Sequence, residues 1–212
     1  MKGLNDTWQA DLVEMIPYST TNKKNKYLLT IIDIFSKYAW AVPLKSKKGK
    51  EVTAGMKSVL KKTQSPRNLH VDMGKEFYNQ HFQDLMKKYN INMYSTYSGL
   101  KASICERFNR TLKNMMWKQF SLRGSYKWLD ILPDLVASYN GRKHRSIGMK
   151  PEDVTADHTA EILKRLNSHD VSSKIKKKHK FKVGDKVRVS RLKNIFEKNY
   201  TPNWSLEVFT VN

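Results

Sequence analysis

Three acidic residues fall where phosphodiester chemistry would want them. Asp11 interrupts an apolar segment between Ala10 and Leu12, Asp72 follows the short run NLHV and precedes Met73-Gly74, and Glu106 lies in a helical stretch. A carboxylate inside an apolar strand is costly unless something neutralises it, and a metal ion would. Phosphodiester chemistry at paired metals needs two or three converging carboxylates, with ions about 3.5–4 Å apart acting on the attacking and leaving oxygens. Oxygen ligands of this kind suit Mg²⁺ or Mn²⁺. For each acid alone the plainer alternative is a solvated charge, and Glu106 could simply pair with Arg110 four residues on. Asp33 also sits in an apolar strand, but its spacing from Ser36 points to a turn cap, so it stands outside the catalytic set as the first substitute for Asp11.

The Glu106 helix can be tested by geometry. Ile104, Phe108, Leu112 and Met115 recur at spacings of four, four and three and predict one apolar stripe. At about 100° per residue Glu106 stands roughly 200° from Ile104, away from that stripe. Asn109, Arg110 and Lys113 share its face. One helical edge thus presents a carboxylate, an amide and two cations, an arrangement suited to a metal beside a phosphate backbone.

Several elements must hold these groups. Residues 8–13, 27–34 and 38–44 read as a three-strand meander, and 68–71 and 91–94 as two further short strands. Helices are predicted over 50–62, 79–89, 102–120 and from Tyr126 to about Asn140. The segment 95–101 is polar, carries a glycine and reads as a loop. The order predicts an α/β fold with a mixed five-stranded sheet flanked by helices, which puts Asp72 at the carboxyl end of a strand. Residues 157–180 read as a basic, polar linker, helical or flexible. In 181–191 apolar and charged residues alternate, so Val183, Val187 and Val189 should face inward, and 204–211 is another strand candidate. Trp8, Trp40, Trp117 and Trp128 are expected in the core.

Forty Lys and Arg against nineteen Asp and Glu give a net charge of +21. Such a field attracts polyanions, and each neutralised phosphate releases counterions. Nucleic acid is the leading partner, with a merely soluble basic protein as the plainer alternative. Residues 157–212 hold thirteen Lys and Arg against six acids, so the basic character is spread along the chain and is not confined to a tail. The single cysteine, Cys105, excludes an intrachain disulfide framework or a Cys-based zinc site and fits a reducing compartment. No stretch approaches the roughly 20 apolar residues of a membrane span, and the N-terminus lacks the apolar core of a signal peptide. A soluble, intracellular protein without a membrane partner is expected.

The segments WQADL (8–12), IIDIFSKYAW (31–40), VDMGKEF (71–77), ERFNRTLK (106–113), YNGRKH (139–144) and IGMKP (147–151) together resemble the integrase core of retroviruses and retrotransposons. The resemblance covers roughly residues 8–154 and is nearest to integrases of the Maverick/Polinton self-synthesising DNA transposons. It implies a ribonuclease-H-like fold over a catalytic core of 1–156, with a metal-binding catalytic triad of Asp11, Asp72 and Glu106 holding two Mg²⁺ or Mn²⁺ ions. The 33 residues from Asp72 to Glu106 are slightly fewer than is usual in the family. Val71 and Cys105 are mild departures from its pattern. Arg110 and Lys113 match family positions that touch the DNA end, and Asn109 and Lys101 join them as expected DNA contacts. The segment FKVGDKVRV resembles the SH3-like or chromodomain-like β-barrel that follows such cores, here partial over 181–212. The family's N-terminal zinc-binding domain has no counterpart here, so the sequence is expected to be a fragment.

The implied reaction is DNA integration: metal-dependent processing of the 3′ ends of a mobile element, then joining to target DNA, without a protein nucleophile. The implied partners are element and target DNA, with a homodimer or tetramer assembled on them in the nucleus. Two alternatives stand beside it: a host-retained, integrase-derived DNA-binding protein without catalysis, and a nuclease of the same fold that cuts RNA in hybrids. Tyr139, Asn140 and His144 are expected to be structural, with contact to DNA or substrate as the alternative; Tyr94 and Tyr97 are expected to pack at the base of the 95–101 loop, with DNA contact by that loop as the alternative. The run Lys176 to Lys180 binds phosphates, signals nuclear import, or is a solvated linker.

Overall fold

The computed structural model describes residues 3–95, 103–171, 181–190, 204–205 and 207–212. Lys101, most of the 95–101 loop including Tyr97, and the run Lys174–Lys180 lie outside the described residues. The chain divides into two compact units, Met1–Asn167 and Ser168–Asn212.

The first unit is built on a five-stranded sheet in the order β3-β2-β1-β4-β5. Strands β1 (Thr7–Glu14), β2 (Tyr27–Asp33) and β3 (Ala39–Leu44) form an antiparallel meander, and β4 (Asn68–His70) and β5 (Asn92–Tyr94) join parallel. Every residue of β2 is buried, as expected of a β-branched and leucine-rich strand covered on both faces. On one face Trp8, Ala10, Leu29 and Ile31 pack under helices α1 (Gly49–Leu60) and α2 (Gln80–Lys88). Gly55 lets α1 close on the sheet, because a Cβ there would stand 3.0 Å from the Leu44 side chain and 3.2 Å from that of Leu29. On the other face Val13, Leu28 and Ile32 pack under α3 (Ser103–Arg123) and α4 (Leu132–Asn140).

Several expectations need correction. The buried line of α3 is Cys105, Phe108, Leu112, Met116 and Phe120, while Ile104 and Met115 are only partly buried. The stripe is therefore turned toward Glu106, which flanks the core and does not oppose it. Helix α4 begins at Leu132 and not near Tyr126. The side chain of buried Asn22 donates to the Tyr126 carbonyl (2.9 Å) and accepts from the Trp128 and Leu129 amides (2.8 and 3.1 Å), holding this segment in a non-helical path. Pro133, which lacks an N–H, then sits in the first turn of α4, where none is needed. Trp8 and Trp128 are fully buried and Trp40 packs against the core, but Trp117 is 42% exposed. It lies beside Tyr18 and Phe120 in a surface aromatic cluster.

Helix α5 (Thr159–Val171) occupies much of the stretch read as a linker, and its Ile162 is buried with Phe35, Ile147 and Val154. The compact core unit thus runs on to Asn167. In the second unit, β6 (Lys186–Val187) pairs antiparallel with β7 (Phe209–Thr210), and Ser190 bridges to Trp204. Val183 and Val189, expected inside, are 82% and 57% exposed. These two-residue strands leave those side chains no second layer to pack on among the described residues.

Candidate active site

Side chains alternate across a strand, so Trp8, Ala10 and Leu12 face α1 and α2, while Gln9, Asp11 and Val13 face α3 and α4. Asp11 therefore points toward the helix that carries Glu106 in its first turn. Asp72 lies two residues past β4, which pairs parallel with β1 through Trp8–Leu69 and Gln9–His70. Strand order thus brings a β1 carboxylate beside the carboxyl end of β4.

Gln9 joins the three elements. Its Oε1 accepts from the Cys105 amide (2.9 Å) and its Nε2 lies 3.1 Å from Nδ1 of His70. The first amides of a helix lack partners within it, and here a buried strand side chain supplies one. His70, whose ring stacks on Tyr94 with centroids 5.0 Å apart, is held below the usual imidazole range by burial.

Asp11 is partly buried and doubly hydrogen-bonded. Its Oδ1 accepts from the Leu12 amide (2.8 Å) and its Oδ2 from Nδ2 of Asn109 (2.8 Å). Burial raises its carboxyl above the usual range. The charges of Asp72 and Glu106 push it the same way, against the Leu12 amide and Lys113. The three acids and Lys113 therefore share one electrostatic neighbourhood. Asp72 is exposed and its Oδ1 accepts from the Gly74 amide (3.2 Å). Asn109 is buried, yet its Oδ1 has no hydrogen-bond partner among the described residues. Arg110 and Lys113 are exposed on α3. Glu106 is exposed, and no Glu106–Arg110 ion pair forms among the described residues.

Among the described residues no three His, Cys, Asp or Glu side chains close into a ready cation cage. Asp11 senses the charges of Asp72 and Glu106, although the three do not close on a common point. The donor set nevertheless fits a hard divalent cation. It is all oxygen, it gathers negative charge at a half-buried position, and the orphaned Asn109 Oδ1 adds a further oxygen beside Asp11.

Other candidates are structural. Asp33 accepts from the Ser36 hydroxyl (2.6 Å) and from the Ser36 and Phe35 amides (3.0 and 3.3 Å), capping the β2–β3 turn. Asn140 brackets Ala39 with two 2.9 Å bonds, and Tyr139 packs edge-on against Phe108. Cys105 is buried 3.6 Å from the Thr30 hydroxyl, and burial pushes its thiol far up, the environment of a structural cysteine. Gln9 and His70 are site residues that the sequence does not single out. The one signal for them is period-two spacing, since each lies two residues before an acid of the triad.

Residues 2–99 match the family model described as "Integrase core domain". A transposon-derived protein of Caenorhabditis elegans is 36% identical over 199 residues, covering 93% of this chain and 66% of that protein. The Pol polyprotein of radiation murine leukemia virus is 25% identical over 236 residues, covering 93% of this chain and 39% of that protein. The chain thus spans less than two thirds of the length of these relatives. The catalytic core domain of HTLV-2 integrase, solved in complex with magnesium in a trimeric form, superposes with a TM-score of 0.60 at 21% identity, over 72% of this chain and 97% of that one. The mixed sheet flanked by helices matches the ribonuclease-H-like fold of that integrase core. Over residues 2–99 the chain is thus similar to the integrase core domain family, and along most of its length it resembles a transposon-derived protein and a retroviral Pol polyprotein.

Proposed function

We propose that this chain is the catalytic part of a DNA integrase that processes the 3′ ends of a mobile element of the Maverick/Polinton type and joins them to target DNA in the nucleus. The observation that carries the reading is the shared electrostatic neighbourhood of Asp11, Asp72 and Glu106 across two strands and a helix, beside an exposed cation, Lys113. Asp11, Asp72 and Glu106 would hold two Mg²⁺ or Mn²⁺ ions. When bound there, such ions stabilise charge on the phosphoryl oxygens and lower the pKa of water.

The chain's own residues do the positioning. Asn109 orients Asp11 through its 2.8 Å bond, and Gln9 fixes the start of α3, hence Glu106, against β1. Arg110 and Lys113 offset phosphate charge along the helix. No protein nucleophile is needed, so rate enhancement comes from orientation and charge stabilisation. The magnesium complex of the HTLV-2 core supports the choice of metal, and its trimeric form supports self-assembly. A dimer or tetramer on DNA, with 181–212 acting as a partial SH3-like accessory domain, completes the proposal.

The test is strand transfer by the purified chain on labelled DNA ends with Mg²⁺ or Mn²⁺. Asp72→Asn should abolish joining and leave DNA binding largely intact. Unaltered joining by that variant defeats the assignment, while salt-dependent DNA binding without any joining by the wild type would favour an integrase-derived DNA-binding protein.

A further inference from the structure

A second basic feature lies on the other flank of α3. A cleft of about 420 Å³ opens between this helix and the loop after α4, and Lys37, Arg107, Arg142, Lys143, His144 and Arg145 line it. No carboxylate lines it, and none of its Lys or Arg side chains pairs with an acid among the described residues. Its apolar lining comes from Ile104, Phe108 and Met115. Ile104 and Thr111, which mark this flank, stand about 140–160° around the helix from Glu106. On its buried side the α3 stripe separates the cleft from the carboxylates, and on its exposed side Arg107, at the cleft's edge, stands about 100° from Glu106.

The loop that carries the cations is pinned in place. The His144 amide donates to the Met149 carbonyl (2.9 Å), and the Gly148 amide to the His144 carbonyl (2.7 Å). Gly148 takes a φ of +76°, which favours glycine, and Arg165 donates to the Arg145 carbonyl (3.3 Å). Ile147 is buried beneath the loop. Lys37, only 9% exposed, gives one N–H to the Ile34 carbonyl (2.6 Å) and keeps two donors spare. Burial and the Arg107 charge lower its pKa to about 8, against the pull of Asp33. Apart from Asp33 beneath Lys37, the fold therefore gathers like charges in an ordered concavity with no acid in its lining, which is the arrangement of an anion site.

We propose that this cleft is a second nucleic-acid site, holding the phosphodiester backbone of a DNA strand on the flank of α3 remote from Asp11, Asp72 and Glu106. The guanidinium groups of Arg107, Arg142 and Arg145 match phosphate oxygens in fork geometry. Their placement on two separate elements suits successive phosphates better than a single one. The apolar lining offers contact to sugar and base faces. The ligand's identity rests on reading the chain as a DNA-binding protein; the site itself does not rest on catalysis.

The test measures affinity for a fluorescein-labelled DNA duplex against salt concentration without divalent ions. It compares the wild type, an Arg142→Ala/Lys143→Ala/Arg145→Ala variant, a charge-keeping Arg142→Lys/Arg145→Lys variant, and Arg110→Ala/Lys113→Ala. The triple variant should bind about 10- to 100-fold more weakly. Its slope of log affinity on log salt should fall by about 2–3, at roughly 0.9 for each phosphate left unneutralised. The charge-keeping variant should retain most of the slope, and the effects of the two alanine sets should add. An unchanged slope in the triple variant, with normal binding by the wild type, overturns the proposal. So does saturation of the cleft by micromolar pyrophosphate that leaves the DNA slope untouched, which would assign the cleft to a small phosphate. A wild type that binds no DNA sinks the DNA reading itself and this site with it.

Discussion

Replacing Gln9 by alanine should loosen the whole site. The residue is buried and makes two hydrogen bonds, from the Cys105 amide at 2.9 Å and to His70 at 3.1 Å. Without it the Cys105 amide at the start of α3 keeps no described partner. An orphaned buried donor costs about 1–3 kcal/mol, and the missing His70 bond adds about 1 kcal/mol. The sum of about 2–4 kcal/mol is a large share of a typical stability of about 5–15 kcal/mol. At about 2–4 °C per kcal/mol for a unit of this size, Tm should fall by about 5–15 °C in a far-UV circular dichroism melt. The control is Asn79→Ala, which removes the cap of α2, where Oδ1 accepts from the Phe82 amide at 3.1 Å and Nδ2 donates to the Glu76 carbonyl at 2.8 Å, with no bond to the three acids among the described residues. That change should cost about 1 kcal/mol. At a temperature where both variants remain folded, Gln9→Ala should lose strand transfer by tenfold or more and Asn79→Ala should keep it. If Gln9→Ala melts with the wild type, or both variants lose activity in proportion to stability alone, the positioning argument is wrong.

Three further outcomes follow from the same structure. Asp11 has a raised pKa, chiefly from burial and then from Asp72 and Glu106, so the stability it contributes is present at low pH and lost as pH rises through its folded value. Asp11→Asn should therefore gain on the wild type between acid and neutral pH in urea titrations, and a gap that shrinks as pH rises would contradict this. Asn22→Ala removes bonds to Tyr18, Tyr126, Trp128 and Leu129 at 2.7 to 3.1 Å and should cost about 3–5 kcal/mol, read by denaturant unfolding followed through tryptophan fluorescence. Cys105, buried and with its thiol pushed far up, should resist a thiol reagent at pH 8 in the folded chain and react fully in denaturant; fast labelling of the native protein would refute that burial.

Much of the fold is legible in the sequence because its signals are local. The alternation in WQADLV and the β-branched run of β2 point to the meander, and the short strands on either side of α2 point to the parallel edge. The carboxylates are legible by type and by the element each sits on. Long-range hydrogen bonds are not. Asn22 lies more than a hundred residues from the segment it holds out of helix, and no window along the chain contains both. The side chain of Gln9 reads as an ordinary polar residue until Cys105 is placed against it. The α3 stripe differs from its periodicity because Cys105 and Met116 replace Ile104 and Met115 at its centre. An apolar pattern tolerates a rotation of that size, and packing against Val13 and Leu28 chooses between the alternatives. Trp117 and the valines of the tail show the same limit: an apolar type does not establish a partner.

The central claim is that Asp11, Asp72 and Glu106 act together on a divalent cation, and calorimetric titration of Mn²⁺ tests it most directly. The wild type should take up the ion with or without a bound DNA end, and Asp11→Asn, Asp72→Asn and Glu106→Gln should each weaken uptake by tenfold or more while far-UV circular dichroism stays native. Wild-type uptake in a folded Asp72→Asn or Glu106→Gln variant would contradict the account.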